Sequence, residues 1–168
     1  MTVPQEHKSF GPKSVACFVL TVSDTRTEAN DTGGQAIREA LEAGGHRVTG
    51  CAIVRDDPDA VTAAVQRQLA AADTQVIITT GGTGITSRDG TFEAIDRLFE
   101  KRLTGFGELF RMLSYEQIGA AAMMSRATAG TVKGKAIFVL PGSPDAVKLA
   151  MTKLIVPELG HVAQQLSR

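Results

Sequence analysis

Apolar and polar positions along this chain follow two rhythms in turn. Ser14 to Val22, SVACFVLTV, is a short, continuous, β-branched apolar run, the pattern of a strand covered on both faces. A polar stretch, SDTRTEANDTGG, follows. Gln35 to Ala43 then spaces Ile37, Ala40 and Leu41 at helical intervals until Gly44-Gly45 stops the pattern. His46 to Val54 predicts a second strand. Asp57-Pro58 opens a helix whose inner stripe is Val61, Val65 and Leu69. Val76 to Thr80 is the third strand. Phe92, Ile95 and Phe99 mark a short amphipathic helix, and Gly105 to Ala121 a longer one. Arg126 to Val132 and Ala136 to Leu140 flank Lys133-Gly134, as a hairpin or two neighbouring strands. The last helix starts at Ser143-Pro144, passes Val147, Met151 and Leu154, and should bend or break near Pro157.

Strand and helix alternate, which predicts an α/β fold with a mainly parallel sheet and helices on both faces. The pattern is continuous over 14–168, so a single domain is expected there. Residues 1–13 are polar and read as a disordered arm ending at Gly11-Pro12. Lys plus Arg and Asp plus Glu number 18 each, so no basic face for a nucleic-acid partner is suggested. No apolar run approaches the ~20 residues of a membrane span, and the N-terminus lacks a signal-peptide core. A cytoplasmic protein without membrane contact is expected. Cys17 and Cys51 fall on separate strands and outside any Cys/His cluster, so both read as small buried hydrophobes.

In parallel sheets ligands bind beyond the carboxyl ends of the strands. Four loops leave such ends: Ser23-Asp24-Thr25-Arg26, Arg55-Asp56-Asp57, Gly81-Gly82-Thr83-Gly84 with Arg88-Asp89, and Pro141-Gly142-Ser143-Pro144. Hydroxyls, glycines and carboxylates gathered on one edge suit an anion and metal site. The glycine stretch lacks the GK[ST] of a P-loop, and Ser87 breaks a dinucleotide fingerprint. A Rossmann oxidoreductase is therefore disfavoured. Glycines without Cβ still let backbone N–H groups face an anion closely. The plainer alternative is a turn that merely reverses the chain.

Asp89 beside phosphate-binding amides would need a cation between them, and Mg²⁺ is the natural mediator. Alternatively Asp89 caps the following helix, and both can hold at once. Ser143-Pro144 is ordinary helix-start chemistry as well as a possible anion contact. Ser23-Asp24 could be a simple turn. His7, His46 and His161 pair with no plausible nucleophile, which argues against a hydrolase triad. Met123-Met124, with Phe106, Phe110 and Met112, reads as core or subunit contact. Arg126, next to Ser125, serves either an anion or the solvated surface.

TTGGTG followed by Arg88-Asp89, then Thr91 and Glu93-Ala94, resembles the signature of the MoaB/MogA molybdopterin-binding family. Thr21 to Asp24 (TVSD), Arg55-Asp56-Asp57 and Leu140 to Pro144 (LPGSP) add to the resemblance, from about Val15 to the chain end. GFGELFRMLSYEQIG and SRATAG are similar to the MoaB branch in particular. The resemblance implies a three-layer α/β/α domain that binds molybdopterin. It implies transfer of an adenylyl group from Mg-ATP to the pterin's terminal phosphate, with release of pyrophosphate, in molybdenum cofactor biosynthesis. It also implies a homotrimer or a pair of trimers. By matching positions, Asp56 and Asp89 become the catalytic carboxylates and the Mg²⁺ ligands. Ser23, Asp24, Thr80, Gly81, Gly82, Thr83, Gly84, Arg88, Ser125, Pro141, Gly142 and Ser143 become the substrate and nucleotide contacts. The chain departs from the common RDxTPEA form by carrying Phe92 in place of proline, which implies changed packing on the helix side. A non-catalytic carrier or regulator using the same pocket, and a nucleotide-binding interaction module, are the alternative readings.

Overall fold

The computed structural model describes residues 11–168; the first ten residues of the expected arm at 1–13, His7 among them, lie outside them. Gly11 and Pro12, expected to end a loose arm, lie with their backbone against Gly160. Among the described residues six strands form one sheet: β1 (Ala16–Val22), β2 (Arg47–Val54), β3 (Val76–Thr80), β4 (Lys101–Arg102), β5 (Thr128–Val132) and β6 (Lys135–Leu140). Their spatial order is β2-β1-β3-β6-β5-β4. The first four in that order are parallel, and β5 and β4 add antiparallel pairs.

Side chains on successive strand residues face opposite ways, and that alternation builds two cores. Cys17, Val19, Val76, Ile78 and Phe138 face one layer, packed against α1 (Thr32–Ala43), α4 (Thr104–Ile118), α5 (Pro144–Ala150) and α6 (Val156–Leu166). Leu20, Val22, Ile77, Ile137 and Val139 face the other, against α2 (Pro58–Ala70) and α3 (Thr91–Asp96). The result is a three-layer α/β/α arrangement. The expected α2 stripe is buried as read, with Val61 and Val65 fully and Leu69 almost so.

Local chemistry sets the ends. Asp31 caps α1 by accepting from the Gly34 amide, which starts that helix three residues before the predicted Gln35. Asp57 caps α2 ahead of Pro58. Lys133 and Gly134 both have positive φ, and this joins β5 to β6 as a two-residue hairpin. The long helix stops at Ile118 instead of Ala121, and a 3₁₀ turn, Gly119–Met124, completes it. Near Pro157 the last helix does not break. It widens upstream into a π turn at Met151–Ile155, where the Val156 amide reaches the Met151 carbonyl, and then continues.

The sequence reading of the cysteines holds for Cys17, whose thiol burial pushes up to about 12 against the opposing charge of Arg47. It fails for Cys51, which is exposed with Arg38 donating to its sulfur at 3.4 Å. Of the group read as core or subunit contact, Phe110 is fully in the core, while Met112, Met123 and Met124 are exposed. Among the described residues no helix is long and apolar enough to cross a membrane.

The short β4 was not expected from the pattern, since Lys101 and Arg102 are both exposed. It is held by a fork: Arg102 Nε and Nη2 each donate to the Asp96 carboxylate at 2.8 Å. The bond from Arg102 lowers Asp96 below its ordinary 3.8, despite the opposing effect of burial. A lowered carboxylate stabilises the fold above its unfolded value and loses that contribution as pH falls through the folded value. Asp96→Asn should therefore lower the thermal midpoint at pH 7 by a few degrees at most. The difference from the parent should close below about pH 3.8. Melting curves across pH check this, and a gap that persists in acid removes the ion pair as its cause.

Candidate functional site

Register fixes where the site lies. Val22 pairs with Val54, Thr21 with Thr80 and Thr80 with Leu140, so four strands end at one rim. The four loops picked out from the sequence therefore share one edge of the sheet. The Ser23 amide donates to the Val54 carbonyl at 2.9 Å, and the Gly81 amide to the Leu140 carbonyl at 3.1 Å. Thr80 is buried, and its hydroxyl donates to the Pro141 carbonyl at 2.9 Å. It ties two loops together.

The glycine turn then runs through left-handed backbone, with φ of 97° at Gly81 and 65° at Gly82. A β-carbon on Gly81 would stand 2.2 Å from the Val22 carbonyl oxygen, so the chain closes on itself here as only glycine permits. The Gly82 carbonyl accepts from the Thr91 amide at 3.0 Å. The Thr83 and Gly84 carbonyls accept from Arg126 at 2.9 and 2.6 Å. No hydrogen bond from the amides of Gly82 and Thr83 is found among the described residues. The turn thus has its acceptors occupied and donors to spare.

Over this turn lies a cleft of about 360 Å³. Its polar wall is Gly81 to Gly84, Asp89, Ser125, Arg126 and Pro141-Gly142-Ser143, and its apolar wall includes Phe110, Ile118, Met124 and Ala146. A hollow of about 70 Å³ adjoins it through the shared Gly81 and Gly142, and is bordered by Ser23 and Thr80. A larger groove of about 660 Å³, between the start of α4 and α6, contains none of the candidate residues.

Asp89 is not the cap of α3; Gly90 holds that position and makes no side-chain bond. Its carboxylate accepts instead from the Thr86 hydroxyl at 2.6 Å and the Thr86 amide at 2.9 Å. The Thr86 hydroxyl is the leading cause of a lowered Asp89, joined by the Thr86 and Gly84 amides and the Arg126 charge against burial. Asp56 moves the opposite way. Burial raises it first, followed by the charges of Asp89 and Asp24, against the Gly90 amide and Arg88. Its Oδ1 is buried without a hydrogen-bond partner among the described residues, and so is the Thr91 hydroxyl. Both crowd Gly82: a β-carbon there would stand 2.8 Å from the one and 2.1 Å from the other.

Asp24 accepts from the Asp56 amide at 3.2 Å and pairs with Arg88 at 2.6 Å. Arg88 is largely exposed and belongs to neither cleft wall. Ser23 accepts from the Thr25 and Arg26 amides as a turn residue. Ser143 caps α5 by accepting from the Ala146 amide at 3.2 Å while it lines the cleft. Sequence reasoning left Arg126 open and gave Glu93 only as part of a signature, yet the two form an ion pair beside the turn, with the Phe92 ring 5.1 Å from the guanidinium. Among the described residues no group of three or more His, Cys, Asp or Glu side chains is arranged to hold a metal. A cation here would take two carboxylates and complete its shell with other oxygens.

The backbone of the turn makes a direct test. Gly81→Ala should cost about 2 kcal/mol or more, because it adds a clash with main chain to a strained φ. Gly105→Ala, where a β-carbon meets nothing within 4 Å in the first turn of α4, should cost nothing and could add up to about 1 kcal/mol. Urea denaturation reads both; equal effects would mean that the turn is not held as described.

Residues 18–161 match the family described as "Probable molybdopterin binding domain". The chain is 52% identical over 164 residues to "Molybdenum cofactor biosynthesis protein B" of Bacillus cereus, covering 97% of each chain. A crystal structure of a molybdenum cofactor biosynthesis protein B is 52% identical and superposes with a TM-score of 0.91, covering 94% of this chain and 98% of that one. The tungsten cofactor synthesizing protein MoaB from Pyrococcus furiosus, 39% identical, gives 0.84 over 94% and 99%. With the two-sided sheet, the glycine turn and the LPGSP loop at the same rim, this chain belongs to the molybdopterin-binding domain family, on its MoaB branch.

Proposed function

We propose that this protein acts in molybdenum cofactor biosynthesis, binding molybdopterin and joining its terminal phosphate to the adenylyl group of ATP. The observation that carries this reading is the shared cleft. Spare amides of a glycine turn, a cap hydroxyl and a carboxylate line it together with the apolar side chains of Phe110, Ile118, Met124 and Ala146. A phosphate oxygen of the pterin attacks the α-phosphorus of ATP. The new P–O bond forms as the bond to the β-phosphate breaks, and pyrophosphate leaves. Both reactants are anions, so the barrier is largely charge repulsion and alignment.

The residues suit that task. The Gly82 and Thr83 amides receive a phosphate without adding a competing negative group. Ser143 accepts its cap bond and keeps its own proton to donate. The buried Asp56 Oδ1 and Thr91 hydroxyl, both without partners, together with the ionised Asp89, form an oxygen-rich set of the kind a hard divalent cation takes. Mg²⁺ held by Asp56 and Asp89 would neutralise charge on the transferring phosphoryl group. Asp24 and Arg88 brace the two acidic loops against each other. We propose further a homotrimer or pair of trimers, supported by the exposed apolar row of Leu109, Met112, Tyr115 and Met123, and readable by sedimentation.

The test uses purified protein, molybdopterin, Mg²⁺ and labelled ATP, with adenylylated pterin as the product. Asp89→Asn should keep the fold and lose turnover by roughly 10²–10³. Parental turnover in that variant removes the role given to Asp89. A parent protein that binds molybdopterin and releases no pyrophosphate is a carrier, not a transferase.

A further inference from the structure

Arg126 reaches three separate points of the acidic and glycine-rich loop. Its Nε donates to the Thr83 carbonyl at 2.9 Å. Its Nη2 donates to the Gly84 carbonyl at 2.6 Å and, more loosely, to the Asp89 carbonyl at 3.5 Å. Its Nη1 bonds the Glu93 carboxylate, and the Phe92 ring lies beneath the guanidinium. These contacts span more than thirty residues of sequence, so they are tertiary in origin.

A peptide unit is planar and trans, so a fixed carbonyl aims the next amide the opposite way. Anchoring the Thr83 and Gly84 carbonyls therefore aims the Gly84 and Ile85 amides away from Arg126. The Gly84 Cα lies close to the Asp89 carboxylate, since a β-carbon there would stand 2.6 Å from Oδ2. The same oxygen accepts from the Thr86 amide and hydroxyl. The loop is thus gripped through its Thr83 and Gly84 carbonyls, with the Gly84 amide turned toward the Asp89 carboxylate that borders the cleft.

We propose that Arg126 is a positioning residue. It gathers the loop carbonyls on one side, so that the glycine turn and Asp89 meet a phosphate ligand ready-formed, and Phe92 with Glu93 fixes the guanidinium in place. The chemistry fits arginine alone. A planar fork can serve several acceptors and lie on an aromatic face, whereas a lysine ammonium cannot do both. Phe92, where the family signature carries proline, becomes the platform for this fork. The inference rests on the phosphate-site reading for its purpose, but not for its geometry.

The experiment measures amide hydrogen exchange in the ligand-free chain by NMR and, separately, Mg-ATP and pyrophosphate binding by calorimetry. The amides of Thr86, Asp89 and Thr91 are bonded within or against the loop, and that of Ile78 lies in the core sheet. Arg126→Lys should speed exchange at the three loop amides by about tenfold or more with Ile78 unchanged, and weaken Mg-ATP binding by a similar factor. Phe92→Leu should give a smaller change in the same direction, and it carries the test if Arg126→Lys fails to fold. Unchanged loop exchange overturns the proposal, and so does equal acceleration at Ile78, which signals general destabilisation. Selective loosening of the loop in a chain whose parent binds neither Mg-ATP nor pyrophosphate supports the positioning role and rejects the phosphate-site reading instead.

Discussion

Parallel pairing of β2, β1, β3 and β6 is the constraint on which the rest depends. Each strand must end where its neighbour ends, and each crossover must leave from that same rim. Four loops are thereby delivered to one place. Their mutual bonds include Ser23 to Val54, Gly81 to Leu140, Thr80 to Pro141 and the ion pair of Arg88 with Asp24. Backbone that would otherwise be orphaned at a strand end finds its partner in the next loop over. The site inherits its precision from the sheet.

On that scaffold the charges are arranged under tension. Asp56, Asp89 and Asp24 occupy adjoining loops, with Arg88 and Arg126 as the nearby cations. The two carboxylates of the proposed cation site respond in opposite senses: Asp89 is eased by hydrogen bonds, and Asp56 is pressed by burial and by Asp89 itself. Perturbed ionisable groups of this kind cluster at functional sites. The buried Asp56 oxygen and the Thr91 hydroxyl tell the same story by hydrogen-bond accounting.

Much of this was legible in the residues themselves. VIITT could be read as a strand to the residue, because a fully covered strand is apolar throughout and the glycines end it abruptly. The four rim loops followed from the alternation of strand and helix and the parallel sheet it predicts. What could not be read were interactions whose partners lie far apart in sequence. Nothing local marks Lys101-Arg102 as a strand; its place comes from pairing with Thr131 and Gly130. Asp89 looks like a helix cap by position, but the chain offered it Thr86 first. Arg126 stands in SRATAG, one of the stretches that carry the family resemblance, but only the fold brings it to carbonyls more than forty residues earlier. The signature likewise groups Glu93 with Arg88-Asp89 without saying what the glutamate holds.

The widened turn before Pro157 has a geometric meaning of its own. The inward residues Met151, Ile155, Leu159 and Ala163 recur every fourth position. In a regular α-helix a step of four overshoots a full revolution by about 40°, so three steps would swing the stripe off the sheet by about 120°. A turn closed five residues apart advances less per residue and hands part of that drift back. The proline and the wide turn together act as a phase correction, which keeps one long helical segment aimed at the same layer from end to end.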